Sequence, residues 1–296
     1  MRIGFVGLGL MGLPMAHRLL NAGHELHIYS ENTQSIEALT NLGAISEKAI
    51  LEVARKVEVF CSCRVTPDQS RDVFMGTGGV FSAVSRPAVC IDFATIDPMT
   101  SREIGEGMAE VGIDYLDAPI SGGPDGATAG MLSIMVGGEK RAVKKAAPIF
   151  ETFGKQVFHM GDIGSGVTTK LCNNMITITT HALVAEAMVL GVKSGVDARA
   201  LYEVLSNSTA YSRTLERVVP RHFLVRNFKA AATIDNIMKD LQGTLDLAEA
   251  KGVQLSLPTT AMKRFVEAAE QGYSRNDIAA VILPMEERAG TSVGPA

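Results

Sequence analysis

Cysteine is scarce in this 296-residue chain, and its four copies are poorly placed for chemistry. Cys61-Ser62-Cys63 is a C-x-C pair, Cys90 and Cys172 stand apart, and no histidine cluster lies near enough to complete a zinc set. On a strand, Cys61 and Cys63 share a face and read as small buried residues. Neither a disulfide framework nor a metal centre is expected, and a reducing, cytoplasmic setting fits best. Charge of one sign is lacking too. The formal net charge is −4, which leaves no basic field for nucleic acid or an anionic membrane. Long, purely apolar runs are also missing. The longest, Leu171 to Val192, carries Asn173, Asn174, His181 and Glu186, groups that are costly in lipid, so a buried helix is expected there. No repeat or low-complexity tract is visible. The first strand begins at once, which leaves no room for a signal peptide. With 46% hydrophobic and 20% charged residues, the chain has ample material for a core, and its length predicts two domains.

Glycine, by contrast, is plentiful and patterned. Directly after the apolar run Ile3-Gly4-Phe5-Val6 comes Gly7-Leu8-Gly9-Leu10-Met11-Gly12, a G-x-G-x-x-G set leading into a helix that ends at Asn21. Gly7 permits a tight turn, Gly9 lets the backbone approach a pyrophosphate, and Gly12 lets the helix pack on the strand. The unpaired N–H groups of the first helical turn then hold the phosphate charge. This context predicts a dinucleotide site.

Short apolar runs alternate with helical stretches up to about residue 160. Strands are expected at Arg2–Val6, Glu25–Tyr29, Val57–Cys63, Ala88–Phe93, Asp114–Ala118, Leu132–Gly137 and Gln156–His159. Helices include Leu13–Asn21, Gln34–Leu42, Ala49–Ala54, Pro98–Val111 and Lys140–Glu151. That alternation predicts an α/β class with a mostly parallel, doubly wound sheet. From Gly164 the pattern turns all-helical, through Val167–Ser194, Ala198–Ser206, Leu215–Arg221, Met238–Lys251, Leu257–Gln271 and Ile278–Ala289. The expected domains are 1–163, dinucleotide-binding, and 164–296, helical, with a loose tail over Gly290–Ala296.

A ribose-binding group belongs about 20 residues past the glycines, after the second strand. There the turn reads Tyr29-Ser30-Glu31-Asn32-Thr33. Glu31 accepts hydrogen bonds from ribose hydroxyls and repels a 2′-phosphate, and no Arg or Lys occupies the turn. NAD is favoured over NADP.

Three further motifs carry chemistry. Asp117-Ala118-Pro119-Ile120-Ser121-Gly122-Gly123 follows a strand, and its glycine N–H groups and hydroxyl can receive a carboxylate. Gly164-Ser165-Gly166 opens a helix bearing Lys170 and Asn174, stacked one turn apart. Near the positive end of a helix, burial and dipole both favour the neutral amine, the state that takes up a proton. Met238-Lys239-Asp240-Leu241 opens a later helix, where Lys239 can reach cofactor or substrate.

These four motifs, in this order and spacing, resemble the β-hydroxyacid dehydrogenase family, which includes 3-hydroxyisobutyrate dehydrogenase and tartronate semialdehyde reductase. The resemblance runs from Ile3 to about Ala289. It implies an N-terminal Rossmann-type domain, a long joining helix and an all-α C-terminal domain. It also implies Lys170 as the catalytic lysine of a G-x-G-x-x-x-K-x-x-x-N motif, with Asn174 and Ser121-Gly122-Gly123 on the substrate. Thr95 matches the threonine facing the cofactor, and Lys239 the cofactor-proximal lysine. Where relatives carry Met-Leu-Pro after the third strand, this chain has Cys63-Arg64-Val65. Three readings of Arg64 stay open: a bond to the cofactor, a second substrate carboxylate, or solvent. Glu31 stands where NADP-using relatives often place Arg.

The implied reaction is reversible oxidation of a small β-hydroxy acid, with Lys170 as general acid/base and no metal. A semialdehyde reductase and a non-catalytic NAD(H)-binding module are the alternatives. The 6-phosphogluconate dehydrogenases have a longer helical domain and a basic phosphate site. Many imine reductases replace the lysine. Tyr211-Ser212-Arg213 and Asn236 are candidates for the pocket wall, and a homodimer or homotetramer is expected.

Overall fold

The computed structural model describes residues 1–295 as two compact units, Met1–Lys170 and Leu171–Ala296, with Ala296 itself outside the described residues. In the first unit, β1 (Arg2–Val6), β2 (Glu25–Tyr29), β3 (Ile45–Ser46), β4 (Val59–Ser62), β5 (Val89–Asp92) and β6 (Asp114–Asp117) form a parallel sheet in the order β3-β2-β1-β4-β5-β6. Helices α1 (Gly12–Asn21), α2 (Thr33–Thr40), α3 (Ile50–Lys56), α4 (Pro67–Met75) and α5 (Pro98–Glu110) fill the crossovers. This is the doubly wound order in which a dinucleotide lies beyond the carboxyl ends of the strands. Beyond β6 the chain adds β7 (Ile120–Ser121), α6 (Gly123–Ala129), β8 (Leu132–Gly137), α7 (Lys140–Phe153) and β9 (Gly154–Gly161). Strand β8 is antiparallel to β6 and β7, and β9 runs parallel to β8. The expected sheet is therefore parallel in its first six strands and mixed at this edge.

Two apolar layers flank the sheet, because alternate strand residues point to opposite faces. Phe5, Ile28, Cys61 and Ile91 pack with Met15, Leu19 and Phe150 of α1 and α7. Phe60, Cys90 and Tyr115 pack on the other side with Val53, Val73, Phe74 and Ile104 of α3, α4 and α5. Cys61 is fully buried and Cys63 packs against its layer, as their shared face predicts.

The division falls inside α8 (Ser165–Lys193), seven residues past the boundary that composition suggests. The opening of α8 belongs to the sheet domain, because the Asp117 carboxylate at the end of β6 accepts the N–H groups of Gly164 and Val167, both at 2.8 Å.

The second unit contains the rest of α8 together with α9 (Ala198–Ser206), α10 (Arg213–Val218), α11 (Ile234–Ala250), α12 (Ser256–Ala268) and α13 (Ile282–Ala289). Its core gathers Ile178, Ala185, Leu241, Phe265 and Ile282. Helix α8 is long and apolar enough by length and composition to cross a membrane, yet only a third of its most apolar window is buried. Ile176, Leu183 and Leu190 are 65%, 63% and 69% exposed, so the helix is less covered than its sequence predicts. The tail departs from expectation in the opposite sense. Val293 is buried, and its N–H donates to Glu286 Oε1 at 2.8 Å. Arg226 donates to the same carboxylate, so residues 290–293 are docked rather than loose.

Candidate active site

The glycine-rich turn is built as a cradle for backbone approach. Gly7 has φ +91°, and a Cβ there would lie 2.5 Å from the Cys63 carbonyl oxygen. A Cβ at Gly12 would collide with the Gly7 carbonyl, so α1 can start here only on glycine. Gly9, in contrast, has nothing within 4 Å of its missing Cβ. Leu8 is buried and pins the turn to the core, whereas Leu10 is exposed and Met11 half-buried. No side chain caps the N-terminus of α1. Open space at Gly9 and a helix start without a side-chain cap are what a pyrophosphate requires. The residues present fit a dinucleotide.

Glu31 lies two residues past the end of β2, and its side chain is 77% exposed. The sequence of its turn contains no cation, but the fold brings one in from the end of β4, on the far side of β1. Arg64, two residues past β4, donates from Nη2 to Glu31 Oε1 at 3.4 Å. Val65 is exposed, and its N–H donates to Gln69 Oε1 at 3.1 Å. That contact belongs to the start of α4, where Thr66 and Gln69 form a reciprocal capping box. Thr95 is half-buried beyond β5, next to the buried Phe93 and Ala94.

The expected substrate loop follows β6. Ser121 is half-buried and pairs with Ser133 of β8, while Gly122 and Gly123 adopt φ of +140° and +68° at the start of α6. No side chain caps α6. Lys170 is half-buried in α8, more than one turn past Ser165. What ties these segments together is Asp117, whose importance was not read from the motif it heads. It is wholly buried at the end of β6, just before the loop, and it fastens the opening of α8 through the two N–H bonds to Gly164 and Val167. Burial, with a smaller contribution from the nearby Asp92 charge, pushes its pKa up to about 6 against the pull of the two N–H donors. Gly166 admits no Cβ, which would strike the Met135 carbonyl oxygen, so the helix start lies flush on the sheet.

In the second unit Asn174 is buried and its Nδ2 donates to Asp240 Oδ2 at 2.8 Å, while its Oδ1 accepts from Asn173 at 3.2 Å. The other oxygen of Asp240 receives Lys239 Nζ at 2.9 Å. One carboxylate therefore holds both the expected substrate-binding amide and the expected cofactor-proximal lysine. Lys239 and Asp240 sit within α11, which starts at Ile234, rather than opening it. The helix begins earlier because Thr233 caps it, accepting from the Asn236 N–H. Asn236 thus lies in the first turn of α11, and Arg213 at the first position of α10, where Tyr211 donates to Glu216.

Comparison with known proteins agrees with this architecture. Residues 2–161 match a family profile described as the NAD binding domain of 6-phosphogluconate dehydrogenase. Residues 164–285 match one described as NAD-binding of NADP-dependent 3-hydroxyisobutyrate dehydrogenase. The chain is 36% identical over 268 residues to a 3-hydroxyisobutyrate dehydrogenase of Pseudomonas aeruginosa, covering 88% of this chain and 89% of the relative. It is 35% identical over 288 residues to the 2-hydroxy-3-oxopropionate reductase of Escherichia coli, covering 97% of each. A crystal structure of 3-hydroxyisobutyrate dehydrogenase from Salmonella typhimurium superposes with a TM-score of 0.87 at 28% identity, covering 96% of this chain and 99% of that one. With the glycine cradle at its amino-terminal sheet and the lysine-bearing helix fastened to that sheet, the chain belongs to the β-hydroxyacid dehydrogenase family of NAD(P)-dependent oxidoreductases.

Proposed function

We propose that the protein interconverts a small β-hydroxy acid of the 3-hydroxyisobutyrate type and its carbonyl product, using NAD in preference to NADP. The observation that carries this reading is the Asp117 anchor, which fastens the lysine-bearing helix to the strand leading into the Ser121-Gly122-Gly123 loop. When bound, the nicotinamide supplies or accepts the hydride. The chain's own share is placement and proton handling. Ser121 and the N–H groups of Gly122 and Gly123 receive the substrate carboxylate, and Asn174 steadies the substrate's polar end. Lys170 Nζ takes the hydroxyl proton in oxidation and returns it in reduction. Leu8, Met11, Val65 and Thr95 line the cofactor, with Gly7, Gly9 and Gly12 at its phosphates, and Lys239 stands near it. Glu31 accepts the ribose hydroxyls, which supports the choice of NAD.

Steady-state turnover tests the reading. The full chain is expected to oxidise 3-hydroxyisobutyrate or a close relative among glycerate, serine and longer 3-hydroxy acids, with higher kcat/KM on NAD+ than on NADP+. Reduction of tartronate semialdehyde is the second reading, favoured by the 35% identity to the 2-hydroxy-3-oxopropionate reductase. It is the same chemistry run in the other direction. Binding of NADH without turnover of any of these compounds would leave only a non-catalytic module.

We place the protein in the reducing cytoplasm, since all four cysteines are free. It associates as a homodimer or homotetramer, with the exposed Ile176, Leu183 and Leu190 of α8 as the apolar surface available for contact. Light scattering is expected to return two or four times the 31.5 kDa chain mass. A monomer at micromolar concentration overturns that assignment.

A further inference from the structure

Strand β1 ends at Val6, which is paired with Tyr29 of β2 on one side and Ser62 of β4 on the other. Glu31 and Arg64 follow at equal distance past those two partners, so their ion pair spans the end of β1 beside the phosphate turn. Arg64 is held there by more than its charge. Its side chain is only 19% exposed, and a Cβ at Gly7 would lie 3.2 Å from its Cδ. Its Nε is buried and finds no acceptor among the described residues. A buried guanidinium N–H without a partner is costly, and it marks a position where an added acceptor would be welcome. The pair uses Glu31 Oε1 and a single guanidinium nitrogen at 3.4 Å, a long contact that leaves most of the Arg64 fork unspent. A planar fork of this kind matches phosphate oxygens two at a time.

We infer that Arg64 is a latent receptor for a phosphate on the adenosine ribose, and that Glu31 keeps it from acting as one. Cofactor choice is then set by the pair rather than by a lone acidic residue. Glu31 repels the extra phosphate and also occupies the cation that would bind it. This rests on the NAD reading above, and the two can fail separately.

Fluorescence titration of NADH and NADPH against the full-length protein separates them. In Glu31→Gln the NADPH Kd is expected to tighten at least about tenfold, with NADH changed by less than about threefold. Relief of repulsion alone would give some of that gain, so the deciding variant is Glu31→Gln combined with Arg64→Leu. There most of the NADPH gain is expected to be lost, leaving only the part that relief of repulsion supplies, while NADH still binds. A double variant that keeps the whole gain overturns the role of Arg64, as does a single variant that gains nothing. Wild type binding NADPH as tightly as NADH would overturn the NAD reading. In that case a selective loss of NADPH in Arg64→Leu makes Arg64 an open receptor and overturns the restraint by Glu31, and equal weakening of both dinucleotides rejects Arg64 as a phosphate receptor.

Discussion

Lys170→Ala is expected to lower kcat by roughly two to four orders of magnitude, the usual worth of a placed proton donor and acceptor, while NADH binds as before. The residue lies inside α8, and alanine is the strongest helix former, so the substitution leaves the helix intact. The glycine cradle belongs to the β1–α1 turn, a separate segment of the chain. Lys170→Arg sharpens the test. An arginine keeps the positive charge but cannot release its proton near neutral pH. If the lysine served only to attract the substrate carboxylate, the Arg variant would keep most of its kcat. Loss in both variants, with substrate KM changed much less than kcat, identifies proton transfer. Near-normal turnover in the Ala variant would remove Lys170 from the chemistry and leave the family resemblance without its active residue.

Local patterns in the sequence carried the fold far, and the places where they stopped share a physical reason. The strands β1, β2 and β8 begin and end where the apolar runs predict, because each run is closed by a glycine or polar residue. Helix α4 was legible but unread: Thr66-Pro67-Asp68-Gln69 contains a capping box and a proline at the first helical turn. The two-residue strands β3 and β7 have too little sequence to show a period. The site divides along the same line. The glycine cradle, Ser121-Gly122-Gly123, Lys170 and Asn174 sit in contiguous motifs and were found. The carboxylates that hold them act across the chain. Asp117 reaches residues 47 and 50 positions away, Asp240 reaches Asn174 across 66, and Glu31 reaches Arg64 across 33. Such pairings depend on strand order and helix packing, which no local window contains. The exposed stripe on α8 and the docked tail at Val293 are likewise decided by what packs against them.

Removing the Asp117 carboxylate should be the most damaging change outside the reacting groups. In Asp117→Ala the N–H groups of Gly164 and Val167 lose their acceptor in a buried place. Hydrogen bonds to a charged partner are worth about 1.5–3 kcal/mol each. Relief of the buried charge returns part of that, so denaturant unfolding should show a net loss of about 2–4 kcal/mol. The same variant frees the start of α8 from β6, and a misplacement of about 1 Å at a reacting group costs about a hundredfold in rate. kcat should fall by that order, with NADH affinity retained because α1 is anchored elsewhere. Asp117→Asn keeps one acceptor oxygen and should recover part of both losses. A purely structural role would lower stability and leave kcat per folded molecule unchanged. The pH dependence gives an independent check. Burial holds the folded-state pKa of Asp117 at about 6, above its ordinary 3.8, so the folded chain binds this proton more tightly than the unfolded chain. Its contribution to stability is then greatest below pH 4, declines as pH rises to 6, and is constant above. The Asn variant has no such proton, so its deficit relative to wild type should narrow between pH 4 and 6. A deficit that stays level from pH 4 to 6 and shrinks only below pH 4 would mean that Asp117 is held ionised by its two donors, and that burial is the weaker force at the root of α8.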